Sequence, residues 1–320
     1  MVPLLEAVPN FSEGRDLALI RRLVRAISRE GADVLDWSAD PDHHRSVVTF
    51  IGEPSVVEAA AVAAARFALE NIDLRGHSGV HPRIGAIDVL PLVPLQGLTL
   101  ADAAASALRV GSRIAELGLP VYFYGAASEP PGRTLAPIRR GGFEAMVDGF
   151  PKDREPDLPV GGGVLPHPTA GAVCVGARKV LLAWNVYVEG VEVEDLEPLA
   201  ARLRESGGGF AHLRALALAL PSRRKVQISM NLEDLEQTSP VEVFMAVEEG
   251  VHDLGGAVIG TEVIGMLPDT LVHEATRDRL RILEYHSSRS LSHRVNEHTR
   301  MHAKKSQNLV REPPQDFDER

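Results

Sequence analysis

Residues 77–88, read HSGVHPRIGAID, hold two histidines four apart, His77 and His81, followed by Arg83 and Asp88. Such spacing holds zinc when a helix brings both rings to one face. Here Gly79 breaks a helix, Pro82 disfavours helical backbone at His81, and no Glu follows His77. Imidazole titrates near neutrality, so the sharper reading is His81 as a general base that takes and returns a proton, with Arg83 holding an anionic group. Two loop histidines in ordinary hydrogen bonds are the plain alternative. A metal-dependent hydrolase built on His77, His81 and His44 is the chemical one.

A second cluster, DWSADPDHHRS at 36–46, offers Asp36, Asp40 and Asp42 to orient a histidine or bind an amine. Asp-Pro-Asp is also common turn chemistry, with the side chains bonding their own backbone. Residues 161–171, GGGVLPHPTAG, match neither dinucleotide nor Walker glycine patterns. They read as a linker, or as backbone that approaches a flat ligand closely. Arg178 and Lys179 place two cations where a buried strand opens, suited to carboxylates. His286, His293, His298 and His302 fit no standard metal spacing and read as a solvated charged helix.

These residues need a scaffold, and periodicity supplies one. Strands are predicted at 4–8, 34–35, 46–51, 87–92 and 121–124, with helices at 17–27, 55–71 and 100–117. The later half predicts strands at 180–188, 213–220, 225–232 and 257–264, with helices at 193–205 and 240–254. Stretch 213–220 could equally be helical on its Ala and Leu content. The order β-α-β-β-α-β thus occurs twice, the first copy with an extra α-β. That predicts an α+β fold of two ferredoxin-like subdomains packed together. Residues 151–163 read as the connection, with three prolines and three consecutive glycines. From 287 onward the chain is Ser-, Arg- and His-rich, and reads as a solvated helix fraying into a disordered end.

The 320 residues are 44% hydrophobic and 24% charged, ordinary for a globular protein. No apolar run is long enough to span a bilayer, and the first nine residues lack the form of a secretory signal. One cysteine, Cys174, fits a reducing compartment, and a cytoplasmic protein is expected. The net charge of −10 argues against nucleic-acid binding. It also means that an anionic substrate needs a local pocket of positive charge.

Six ordered motifs make the chain resemble the formiminotransferase family over about residues 3–270. They are EAVPNFSEG at 6–14, RSVVTF at 45–50, the 77–88 segment, GARK at 176–179 with WNV at 184–186, QISMNL at 227–232, and GTEVIG at 260–265. The resemblance implies a glutamate formimidoyltransferase activity, with a catalytic N-terminal subdomain at 1–176, a C-terminal subdomain at 177–286 and a charged, partly disordered tail at 287–320. It implies tetrahydrofolate as co-substrate in a groove between subdomains, glutamate or N-formimidoylglutamate as partner, a homodimer, and no metal, nucleic acid or membrane. The family's catalytic histidine falls on His81, and its folate-binding stretch on Gly162, Gly163, Val164, Leu165, Pro166, His167, Pro168, Thr169, Ala170 and Gly171. Arg45, Arg178 and Lys179 are then candidates for substrate carboxylates, beside Arg83. Better-known animal members place an aspartate where this chain has Ser38, so Asp40, Asp36 or Asp42 would assist His81. An Asn before the Arg-Ser pair is His44 here, a common Cys is Ala7, and the cyclodeaminase domain of animal members is not found. A non-catalytic folate-binding protein is the remaining alternative, against which intact His81 and Arg83 speak.

Overall fold

Pro9 has no backbone proton to give a sheet, and the first strand is split around it. The pieces, β1 (Leu5–Ala7) and β2 (Asn10–Phe11), lie between the same two neighbours. The structure, a computed structural model, describes residues 2–159, 164–283 and 286–311. Helix α1 (Leu17–Arg29) follows, its first amides accepted by the Asp16 side chain. Then come β3 (Asp33–Asp40), β4 (Arg45–Gly52), α2 (Pro54–Asn71), β5 (Ile87–Pro94), α3 (Leu100–Ala115), β6 (Val121–Gly125), the one-turn α4 (Leu135–Ile138) and β7 (Val173–Ala177).

The first sheet runs β3, β4, β1 with β2, β5, β7, β6. Its last three strands are parallel. Helices α1 to α3 cover one face, where Phe11, Phe50, Ala61, Leu90 and Val110 share a core. Part of the other face is covered by residues after β6: Ile138, Phe143 and Met146 pack on Tyr122, Tyr124 and Cys174. The rest of that face carries polar groups, because alternation turns Asp40, Arg45 and Asn10 away from the helices.

The second sheet comprises β8 (Leu182–Glu189), β9 (Leu213–Leu220), β10 (Lys225–Leu232) and β11 (Ala257–Ile264), all antiparallel in the order β11, β8, β10, β9. Helices α5 (Val193–Leu203) and α6 (Pro240–Asp253) lie on one face, against Trp184, Val186, Ile228 and Met230. Alternation sends Asn185, Tyr187 and Gln227 to the opposite face, yet each is buried. Two further helices follow, α7 (Glu274–Arg279) and α8 (Leu291–Arg311).

The α+β class holds, with three differences of detail. The first sheet gains a strand, β7, that periodicity did not predict. Its run AVCVGA at 172–177 is short and apolar on both faces, as a central parallel strand must be. Arg178 and Lys179 therefore sit between two strands. Second, β3 extends to Asp40, well past 34–35, because its polar residues face the other sheet. Third, Leu291 at the head of α8 is buried with Leu35, Ile51 and Met266, Val295 packs on them, and His298 lies 3.4 Å from Asp33 of β3. One apolar residue per turn suffices where a helix crosses a seam between two units.

Candidate active site

Three short segments of the first unit interlock around His81. Gly79 lies so close to the β3–β4 turn that a Cβ there would stand 2.3 Å from the carbonyl oxygen of His43. The Val80 amide donates to Asp42 O at 3.1 Å. Arg15 clamps both pieces, donating to Pro41 O (3.0 Å) and to Ser78 O (2.7 Å). His77 and His44 stack with ring centres 4.2 Å apart, His77 Nε2 lies 2.8 Å from His44 O, and His44 Nε2 lies 3.4 Å from Glu13. Burial pushes His77 down to about 4, so that ring stays neutral. These two histidines hold the loop together. Among the described residues no three His, Cys, Asp or Glu side chains are grouped to hold a metal.

The loop is pinned again beyond His81. Ala86 N donates to Ala170 O (3.0 Å) and Ala172 N to Ile84 O (3.0 Å). Gly171 has a positive φ of 66°, and a Cβ on it would sit 2.0 Å from Ile84 O. Gly171→Ala is therefore expected to cost about 2 kcal/mol or more through strain and displacement, and to lower turnover by shifting the His81 loop. Thermal unfolding of the variant checks this, and an unchanged melting temperature would refute the close approach. His167 caps the same turn, its Nδ1 accepting from Ala170 N at 3.1 Å. Of the expected folate-binding stretch, Gly162 and Gly163 lie outside the described residues. Ala170 and Gly171 are buried, Val164, Pro166, His167 and Thr169 are half-buried, and Pro168 and Leu165 are exposed, Leu165 by 68%.

Charge beside His81 comes from a buried triad. Asp88 accepts from Ile84 N (2.9 Å), pairs with Arg45 (3.1 Å) and is also bonded by Arg139. Arg45 reaches Asn10 Oδ1 through Nε and Nη2. Two guanidiniums on one carboxylate leave a surplus positive charge in a negatively charged protein. Burial, then the neighbouring Arg139, pushes Arg45 down to about 10. His81 is held well below the usual imidazole range by burial first, then by Arg45, Arg139 and His43. It is thus neutral at pH 7 with a lone pair free to take a proton, and its Nδ1 is buried with no hydrogen-bond partner.

The other expected site residues already have partners within the chain. The Arg83 guanidinium is paired with Glu144 (2.6 Å) and donates to His77 O, so it braces the loop. Asp40 makes no bond to His81: Oδ1 accepts from the amides of Asp42 and His43, and Oδ2 pairs with Arg223 at 2.9 Å. Lys179 pairs with Asp234 (3.0 Å) and Glu236 (3.7 Å), and Arg178 donates to Lys179 O. Of the proposed carboxylate ligands, only Arg45 lies with His81. Two residues were missed. Arg139 follows α4, 51 residues after Asp88, and a lone Arg-Arg pair carries no pattern. His43, whose ring centre is 5.6 Å from that of His81, carries in sequence only the signal of a turn.

The second unit closes over this site. Ser222 donates to Asp42 through N (3.1 Å) and Oγ (2.5 Å), Arg223 reaches Asp40 and the Tyr187 hydroxyl, and the Gln227 amide meets His43 Nε2 at 3.0 Å. Tyr187 in turn donates to Glu262 at 2.6 Å.

Residues 4–178 match the N-terminal subdomain of the formiminotransferase domain, and residues 183–303 match the formiminotransferase domain. The chain belongs to the formiminotransferase family. A glutamate formimidoyltransferase of Streptococcus pyogenes serotype M1 is 37% identical over 292 residues, covering 89% of this chain and 97% of that one. A protein of the same name from Thermoplasma acidophilum is 36% identical, covering 87% and 93%. The formimidoyltransferase-cyclodeaminase of Rattus norvegicus is 36% identical over 89% of this chain but 54% of its own length. This formiminotransferase chain thus spans nearly all of the microbial relatives and about half of the animal one. The family match runs to residue 303, past the last motif at 265 and into α8.

Proposed function

We propose that the protein transfers a formimidoyl (or formyl) group between N5 of tetrahydrofolate and the amino group of L-glutamate. The observation that carries this reading is a neutral His81 beside the surplus charge of Arg45, Asp88 and Arg139. An amino acid that binds its carboxylate to those guanidiniums presents its amine to a base.

The steps follow from proton chemistry. Glutamate arrives as an ammonium ion and has no lone pair until His81 removes a proton. The free amine then attacks the formimidoyl carbon, forming a tetrahedral intermediate. The imidazolium returns its proton to N5, the carbon–N5 bond breaks, and folate leaves. Holding both substrates in the cleft supplies several kcal/mol through positioning. Cys174 plays no part as a nucleophile, since burial pushes its thiol far up. Exposed Leu165, on the family's folate stretch, offers apolar area to a flat ring.

We infer further that the units at 1–176 and 177–286 are subdomains of ferredoxin-like type, which the order β11, β8, β10, β9 of the second supports. A cytoplasmic homodimer is part of the same reading. Incubation with tetrahydrofolate and N-formimidoylglutamate, followed by acid, is expected to develop methenyl-tetrahydrofolate absorbance. Absence of that absorbance overturns the reading.

A further inference from the structure

The transfer releases one proton more than His81 can return. An ammonium group that ends as the N–H of an amidine loses two protons, N5 receives one, and the other must leave the site. His81 is poorly placed to keep it, between Arg45 and Arg139 and with a buried, unpartnered Nδ1.

The neighbour placed to take it is His43. Its ring is stacked beside that of His81 at 5.6 Å and 23°. The groups around it are Asp40 and Asp42 of its own turn, Arg45 of β4, His81 of the loop, and Arg223 and Gln227 of the second unit. Burial first, then Arg45 and Arg223, holds His43 below the usual imidazole range. Asp40 (shared with Arg223) and Asp42 (shared with Ser222) nevertheless favour a cation there, whereas Arg45, Arg139 and His43 all oppose one at His81. Gln227 is 1% exposed and spends its amide on His43 Nε2. With its nitrogen toward the ring the amide donates to neutral His43. A half-turn presents its oxygen, as an imidazolium needs, since both nitrogens of the cation donate. One amide therefore serves both protonation states with no other movement.

We propose that His43, held by Gln227 across the cleft, is the second proton carrier of the site and acts through His81. The Gln227 amide turns and frees Nε2 of His43. An N–H bond of the His81 imidazolium breaks, water carries the proton past the stacked rings, and an N–H bond forms at Nε2. That bond later breaks to release the proton to solvent. His43 touches no substrate and is a positioning residue for His81. This rests on the transferase reading above.

Two variants test it against wild type. His43→Gln is expected to lower kcat at pH 7 about tenfold or more, less than the roughly hundredfold of a lost general acid–base because His81 remains. KM for both substrates should stay unchanged, and added imidazole at fixed pH should restore part of the rate. Gln227→Glu keeps the volume and places a carboxylate on His43. The acid limb of its kcat–pH profile is expected to move up by about one unit or more. A His43→Gln enzyme as fast as wild type overturns the proposal. So does a slow one that imidazole does not help, if the Gln227→Glu limb stays in place. Should His43→Gln fail to fold, the position of that limb decides alone. A wild type without transfer activity overturns the transferase reading itself, and this proposal with it.

Discussion

Alanine in place of His81 is expected to lower kcat by a factor of about a hundred or more, the usual scale for a lost general acid–base. KM for glutamate should change little, because Arg45 and Arg139 remain. The pH dependence sharpens the expectation. A base works when unprotonated, and burial with two nearby guanidiniums holds His81 well below the ordinary imidazole range. Wild-type kcat/KM should therefore stay level as pH falls through 6.5, the ordinary imidazole value, and bend down only at lower pH. His77→Ala should behave differently, since that ring stacks on His44 and stays neutral. Its cost should fall on stability and be flat with pH above 5. Steady-state kinetics of the two variants from pH 5 to 8 separate these roles. Equal small losses in both would remove His81 from the chemistry.

Arg139→Met should raise KM for glutamate about tenfold to a hundredfold, the worth of a charge-assisted bond of roughly 1.5–3 kcal/mol. Asp88 keeps Arg45 and the Ile84 amide, so the loop stays anchored, but the pair is then neutral and the surplus charge is gone. KM for tetrahydrofolate should stay within about twofold, as the surplus charge at Arg139 is matched to the amino acid's carboxylate. Substrate titrations measure both constants. If KM for glutamate is unchanged, the carboxylate binds elsewhere.

Much of this was legible in the sequence where local rules act. Gly79 and Pro82 marked a loop at His81, and alternation found β10 even though its outward residues, Gln227 and Ser229, turn from the helices. The family motifs pointed to His81, which the structure sets beside buried charge. What stayed hidden was pairing over distance. Nothing local says that Arg83 would be bound by Glu144, 61 residues on, or that Arg139 would join Asp88. The Asp40–Pro41–Asp42 stretch was ambiguous because both readings hold in part. Asp40 does cap its own turn, while its second oxygen and the Asp42 carboxylate fasten the other unit. His43 became visible only once Gln227 was seen reaching it from a strand 184 residues away.

The most direct measurement follows atoms. N-formimidoylglutamate labelled with 13C and 15N in the formimidoyl group is incubated with the protein and tetrahydrofolate, and the folate is examined by mass spectrometry. Both labels on the folate, with unlabelled glutamate released, are the expected result. The carbon label alone would mean that a formyl group is carried. Neither label on the folate, or label set free as formamide or formate, would contradict the account and show that the protein is not a transferase.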